Sequence, residues 1–153
     1  MNKRHLLHLL CIALCVSFIV GIATLSSAQA SSPYHVQMLN ERGSEKFVFN
    51  EEIIRISVGD TIVFEPTTKG HNAASIKALA PDQATKFKTP YNKEAEVTFS
   101  VPGIYGVKCT PHAAAGMVAI IVVGEEIDSK VDLSKVKLPK KAKSKLEQLI
   151  SQL

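Results

Sequence analysis

The stretch 95–124, AEVTFSVPGIYGVKCTPHAAAGMVAIIVVG, limits the possible folds more than any other part of the chain. Residues 95–101 alternate apolar and polar side chains, and Pro102-Gly103 supplies a turn. Residues 104–109 alternate again, and 117–123, MVAIIVV, are almost continuously apolar. Runs this short, rich in Val and Ile and separated by turn residues, read as strands. The amino-terminal half repeats the pattern at lower contrast: 34–39 and 47–49 are β-prone, and 53–58, IIRISV, alternates before Gly59-Asp60 and 61–64, TIVF. The Gly-Asp turn predicts a hairpin between those last two strands. Together these signals predict an all-β fold, an antiparallel sandwich or barrel.

Between the strands, 65–70 form a loop bearing Pro66 and Gly70 that delivers His71, and 72–92 have poor periodicity interrupted by Pro81 and Pro90. A long connection with one helical turn near Ala78 is expected there. After Gly124 the composition turns Lys-rich, and the tail LPKKAKSKLEQLISQL sets Ala142, Leu146, Leu149, Ile150 and Leu153 at helical spacing behind Pro139. This predicts an amphipathic helix packed on the sandwich; its apolar face is narrow for a membrane-surface helix.

Residues 1–30 begin with the basic MNKRH, continue through the apolar LLHLLCIALCVSFIVGIATL and end in a small-residue pattern at 28–30. They read as a secretory signal peptide cleaved after Ala30. A retained membrane anchor is the alternative, because the apolar run is long enough to span a bilayer. Leu10 and Leu14, which precede Cys11 and Cys15, argue against a lipoprotein. Removing 30 of the 153 residues leaves 123, enough for one domain: a sandwich over 31–124 and its helical extension over 125–153. Cys109 is then the sole cysteine, so no disulfide forms within the mature chain, and an unpaired thiol in an exported protein needs a function or deep burial. Without Lys3 and Arg4, 16 of the 18 basic residues remain against 14 acidic ones, a net charge of +2. That is too mild to indicate nucleic acid.

The segment KCTPHAAAGM spaces three donors as Cys109-x2-His112-x4-Met117. A thiolate and a neutral imidazole can hold one metal, and a thioether is a soft ligand that zinc, calcium and magnesium sites seldom use. The combination favours copper. Two imidazoles, a thiolate and a weak axial thioether make a blue-copper electron-transfer site, so one more histidine is required. Besides His112, the mature chain offers His35 and His71. His71 sits in a loop between Gly70 and Asn72, whereas His35 opens the first strand and reads as a surface residue. Met38 competes with Met117 for the axial position, but its strand alternation suits a core filler better. A cysteine nucleophile would need a base and an orienting group, and would leave Met117 without a role.

On these residues the chain resembles the cupredoxins, and within them the pseudoazurin group, across 34–153. The matching motifs are HVQMLN, VGDTIVF, KGHNAASIK, VPGIYGVKCTPHAAAGMVAIIVVG and the helical tail. Plastocyanins share the loop spacing without the tail, and amicyanins have a shorter loop. The resemblance implies an eight-stranded Greek-key β-sandwich with C-terminal helices near 132–135 and over 139–152. It implies one type 1 copper ion per monomer, held by His71, Cys109, His112 and Met117, with Asn72 hydrogen-bonding near the thiolate and Pro111 stiffening the loop. It further implies a monomeric periplasmic electron carrier that catalyses no reaction and touches neither membrane nor nucleic acid. Electrons would pass at the His112 edge, through an apolar patch of Pro111, Ala113, Ala114 and Pro66 ringed by Lys69, Lys77, Lys86, Lys88 and Lys108. The implied partner is a copper nitrite reductase or a cytochrome; a copper carrier or storage protein is the alternative function. Two departures stand out: Ala113 and Ala115 where pseudoazurins often have bulkier residues, and Glu41 where they often have lysine.

Overall fold

In the computed structural model, which describes residues 32–125 and 131–153, the period-two patterning is realised strand by strand. The expected leader over 1–30 and part of the join to the tail lie outside the described residues. β1 (Tyr34–Arg42) buries Val36 and Met38 while His35 and Gln37 face solvent. It is followed by β2 (Glu45–Phe49), β3 (Ile53–Ile56), β4 (Thr61–Glu65), the two-residue β5 (Ala74–Ser75), β6 (Ala95–Thr98), β7 (Gly103–Lys108) and β8 (Val118–Val123). These eight strands make two four-stranded sheets, ordered β2-β1-β4-β6 and β3-β8-β7-β5.

The expected β3/β4 hairpin does not form, although its turn does. The Asp60 N–H donates to the Ser57 carbonyl at 3.2 Å, and the Ser57 N–H to Asp60 Oδ2 at 2.8 Å. The turn carries the chain from one sheet to the other: β3 pairs in parallel with β8, and β4 in parallel with β1. The sandwich is therefore mixed rather than purely antiparallel. Ile54 and Ile56 of β3 and Ile62 and Phe64 of β4 all enter the same buried cluster. Placed in opposite sheets they cover one another across the core, which side-by-side pairing in one sheet would not achieve.

β8 explains its own uninterrupted hydrophobicity. Ala119, Ile121 and Val123 point into the core between the sheets, while Val118, Ile120 and Val122 join a second cluster with Ala142, Leu146 and Leu149. A strand apolar on both faces is one covered on both faces. The second cover is α1 (Lys140–Ile150), which buries the face that its spacing predicted. Its first turn carries lysines and no acidic residue or side-chain cap, so packing rather than end chemistry holds it. The implied helix near 132–135 is a single 3-10 turn, Leu133–Lys135, with Asp132 Oδ1 accepting from the Ser134 N–H at 2.8 Å.

The long connection after β5 is tied down without a helix. Near Ala78 there is one hydrogen-bonded turn, Leu79 N–H to the Ile76 carbonyl at 2.8 Å. Leu79 lies on β7, where a Cβ at Gly106 would stand 2.5 Å from Leu79 Cδ2. Only a residue without a side chain permits that approach.

Candidate metal centre

The link between β7 and β8 closes on itself. The Cys109 N–H donates to the Met117 carbonyl at 3.1 Å, the His112 N–H to the Cys109 carbonyl at 3.2 Å, and the Met117 and Ala115 N–H groups to the His112 carbonyl at 3.2 and 2.9 Å. Ala113–Ala115 form a 3-10 turn that ends at Gly116 with φ 96°, a left-handed value that glycine adopts cheaply. Cys109, His112 and Met117 thus leave one tight loop. Cys109 and Met117 sit in the core between the sheets, 0% and 1% exposed.

His71 enters from the β4–β5 connection and is fully buried. Its Nδ1 is 3.6 Å from Cys109 Sγ; His112 Nδ1 is 3.5 Å from the same sulfur, and the two nitrogens are 3.2 Å apart. The centre of such a triangle lies about 2 Å from each corner, close to the roughly 2.0–2.3 Å of metal–imidazole and metal–thiolate bonds. Two imidazoles and a thiolate, with a buried thioether on the same loop, suit copper by both hardness and geometry. His71 Nε2 donates to Asn40 Oδ1 at 2.9 Å, which leaves Nδ1 free to face the sulfur. Asn40 was not singled out from the sequence; its place in HVQMLN was the only signal, and spacing gives no reason for contact with residue 71.

Asn72 joins the two ligand-bearing segments. Its buried Oδ1 accepts from the Thr110 N–H at 2.9 Å, and its Nδ2 donates to the Thr89 carbonyl at 3.3 Å. Hydrogen bonds from the backbone at Asn72 and His112 also reach the Cys109 sulfur, but burial outweighs them and pushes the thiol above its ordinary pKa. Burial pushes both imidazoles down, and for His71 the charge of His112 adds to the effect. At neutral pH the histidines are neutral and ready to donate a lone pair, while the metal-free thiol is still protonated. Copper binding therefore releases that proton, and apparent affinity rises about tenfold per pH unit from neutrality to the raised thiol pKa, then levels off. Below the usual histidine range imidazolium formation steepens the dependence, starting lower than normal because both pKa values are depressed. Competition against a chelator at several pH values measures this, and an affinity independent of pH would count against the thiolate.

The other candidates separate cleanly. His35 is on the surface, paired with Glu65, and Met38 is fully buried core. Lys77, Lys86, Lys88 and Lys108 line one open groove of about 630 Å³ together with Lys135 and Lys137, which sequence spacing did not indicate. Lys69 is exposed but is not part of that lining. Ala113 is corrected as a surface contact: the 3-10 turn points it inward and leaves it 6% exposed. Pro111 and Ala114 are exposed and Pro66 half-buried. Glu41, the acidic departure, is ion-paired with Lys46 across the β1/β2 edge.

A two-sheet sandwich that converges two imidazoles and a thiolate on one buried point defines a copper protein of the plastocyanin and azurin class. The family model for copper binding proteins of the plastocyanin/azurin family matches residues 36–124. The chain belongs to that family and, on its similarity to named members, to the pseudoazurin branch of it. It is 40% identical over 134 residues to the pseudoazurin of Methylorubrum extorquens, covering 88% of this chain and 90% of the relative. It is 35% identical over 133 residues to that of Paracoccus pantotrophus, covering 87% and 92%. The crystal structure of the Methylobacterium extorquens pseudoazurin superposes with a TM-score of 0.72, covering 79% of this chain and 98% of that one at 40% identity.

Proposed function

We propose that this blue copper electron carrier uses His71, Cys109, His112 and Met117 as its ligands and works as a periplasmic monomer. It delivers single electrons to a denitrification enzyme such as a copper nitrite reductase, with a cytochrome as a further exchange partner, and turns over no substrate of its own. The observation that carries this reading is the buried triangle of His71 Nδ1, His112 Nδ1 and Cys109 Sγ, with edges of 3.2–3.6 Å. Bound copper supplies the Cu(I)/Cu(II) couple. The chain's part is to hold the donors still: the loop bonds fix Cys109 and His112, Asn40 fixes His71, and Asn72 clamps one segment to the other. Such fixity favours an electron carrier over a copper carrier or storage protein, which must open to release its metal.

His112 is the one histidine of the set with partial exposure, so its ring edge is the route for electrons. Pro111 and Ala114 give that edge an apolar surround, and the groove lysines flank it with positive charge. An acidic partner is steered there by long-range attraction and leaves again through a small interface. The leader expected over 1–30 supports the periplasmic assignment.

The test is repeated reduction and oxidation in the presence of a strong Cu(I) chelator, with oxidation driven by a purified copper nitrite reductase. Copper should stay bound through many cycles, and the bimolecular rate should fall roughly tenfold or more from low to high salt. Loss of copper to the chelator within a few cycles would favour the copper-carrier reading. A rate insensitive to salt would remove the lysine groove from docking.

A further inference from the structure

The β1/β2 ladder pairs Met38 with Phe49, Leu39 with Val48, Glu41 with Lys46 and Arg42 with Glu45, and skips Asn40 opposite Phe47. The register is the same on both sides of the gap, so no residue has been inserted. The strands part there for two local reasons. The Asn40 N–H donates to Thr68 Oγ1 at 2.9 Å, and Phe47 has φ 55°, a left-handed value that is costly for an aromatic residue. Such a conformation persists only where its surroundings impose it. Here Val48 and Phe49 anchor one side in the core, while Glu45 pairs with Arg42 at 2.7 Å and with Lys145 of α1 at 3.5 Å on the other.

Both side chains at the gap reach the metal centre. Asn40 holds His71 through Nε2. The Phe47 ring stacks on the His112 imidazole with centroids 4.0 Å apart and planes within 9°. Among the described residues His112 Nε2 has no hydrogen-bond partner, so nothing does for His112 what Asn40 does for His71, except this stack. Gly70 borders the imidazole as well, since a Cβ there would lie 3.6 Å from His112 Cε1.

We propose that Phe47 is a positioning residue of the metal centre: held in the ladder gap opposite Asn40, its ring fixes the plane of the His112 imidazole and keeps Nδ1 aimed at Cys109 Sγ. The strained backbone is the means by which an edge-strand side chain reaches a ligand whose Nε2 has no hydrogen-bond partner among the described residues. This rests on reading His112 as a copper ligand, so the test has one arm without copper and one with it.

In the metal-free protein, proton NMR should find the His112 ring protons shifted upfield by the face of Phe47, and Phe47→Leu should abolish the shift. In the copper-loaded protein Phe47→Leu should release Cu(I) to a chelator roughly tenfold faster, the scale of losing an outer-sphere partner, and should move the visible band. Phe47→Tyr, which keeps the ring face, should restore the upfield shift, the band and the release rate to within about twofold of the original. No upfield shift in the unaltered protein overturns the proposal, and that measurement stands even if Phe47→Leu fails to fold. Unchanged copper release in Phe47→Leu overturns it too, as does a Phe47→Tyr protein that behaves like Phe47→Leu. A protein that shows the shift yet forms no copper site overturns the ligand assignment, and this proposal with it.

Discussion

Replacing Cys109 with serine abolishes the intense visible absorption of the copper-loaded protein while leaving the far-ultraviolet spectrum of the sandwich unchanged. The sulfur is fully buried and stands 3.6 and 3.5 Å from the two histidine nitrogens, so it is the shared corner of the donor triangle. A serine hydroxyl is harder, stays protonated at neutral pH and offers no low-energy charge transfer to copper. The loss of copper affinity should exceed the roughly 10–100-fold cost of losing an outer-sphere partner. Absorption spectra after Cu(II) addition decide the matter, and a Cys109→Ser protein that remained strongly coloured would sink the thiolate assignment.

Leu146→Ala should cost about 2–5 kcal/mol of stability, the range for removing a large side chain from a packed interior. Leu146 is fully buried between α1 and the outer face of β8, among Ile120, Val122 and Leu149. Ile120 and Val122 belong to a strand paired on both sides and cannot collapse far into the vacated space. Because α1 also packs on the 3-10 turn of the ligand loop, the variant should keep its colour when folded but lose it at a lower temperature. Urea unfolding of the metal-free protein measures the difference; a loss below about 1 kcal/mol would mean that the helix contributes little to the fold.

The donors were legible because chemistry restricts them severely. Over residues 31–153 one thiol, two thioethers and three histidines leave few ways to build a soft-metal site, and the loop spacing names three of the four proposed ligands. Strand positions and the buried helix face were legible because periods of 2 and 3.6 record which side of an element is covered. Those periods say nothing about which neighbour covers it, so the parallel β1/β4 and β3/β8 pairings could not be read and a plausible hairpin was expected in their place. Asn40 and Phe47 were out of reach for a sharper reason: a phenylalanine with positive φ contradicts local preference, and only long-range packing enforces it. Ala113 misled because small apolar residues near a ligand look like exposed surface, whereas a tight turn can bury one of them and expose the next. Lys135 and Lys137 join the groove only because the tail folds back beside β5.

The placement of charge has a consequence for how the molecule tumbles. Along the β5 edge Lys77, Lys86, Lys88, Lys108, Lys135 and Lys137 gather at one groove whose lining, among the described residues, contains no acidic one. At the β2 end of the sandwich, Glu41 with Lys46, Arg42 with Glu45 and Lys145 with Glu52 cancel in pairs. The contrast between these clustered lysines and those paired charges contributes a component of electric dipole across the sandwich, on which the field of an acidic partner would exert a torque before contact. Under the docking proposed above, the groove flank turns toward such a partner before the two surfaces touch.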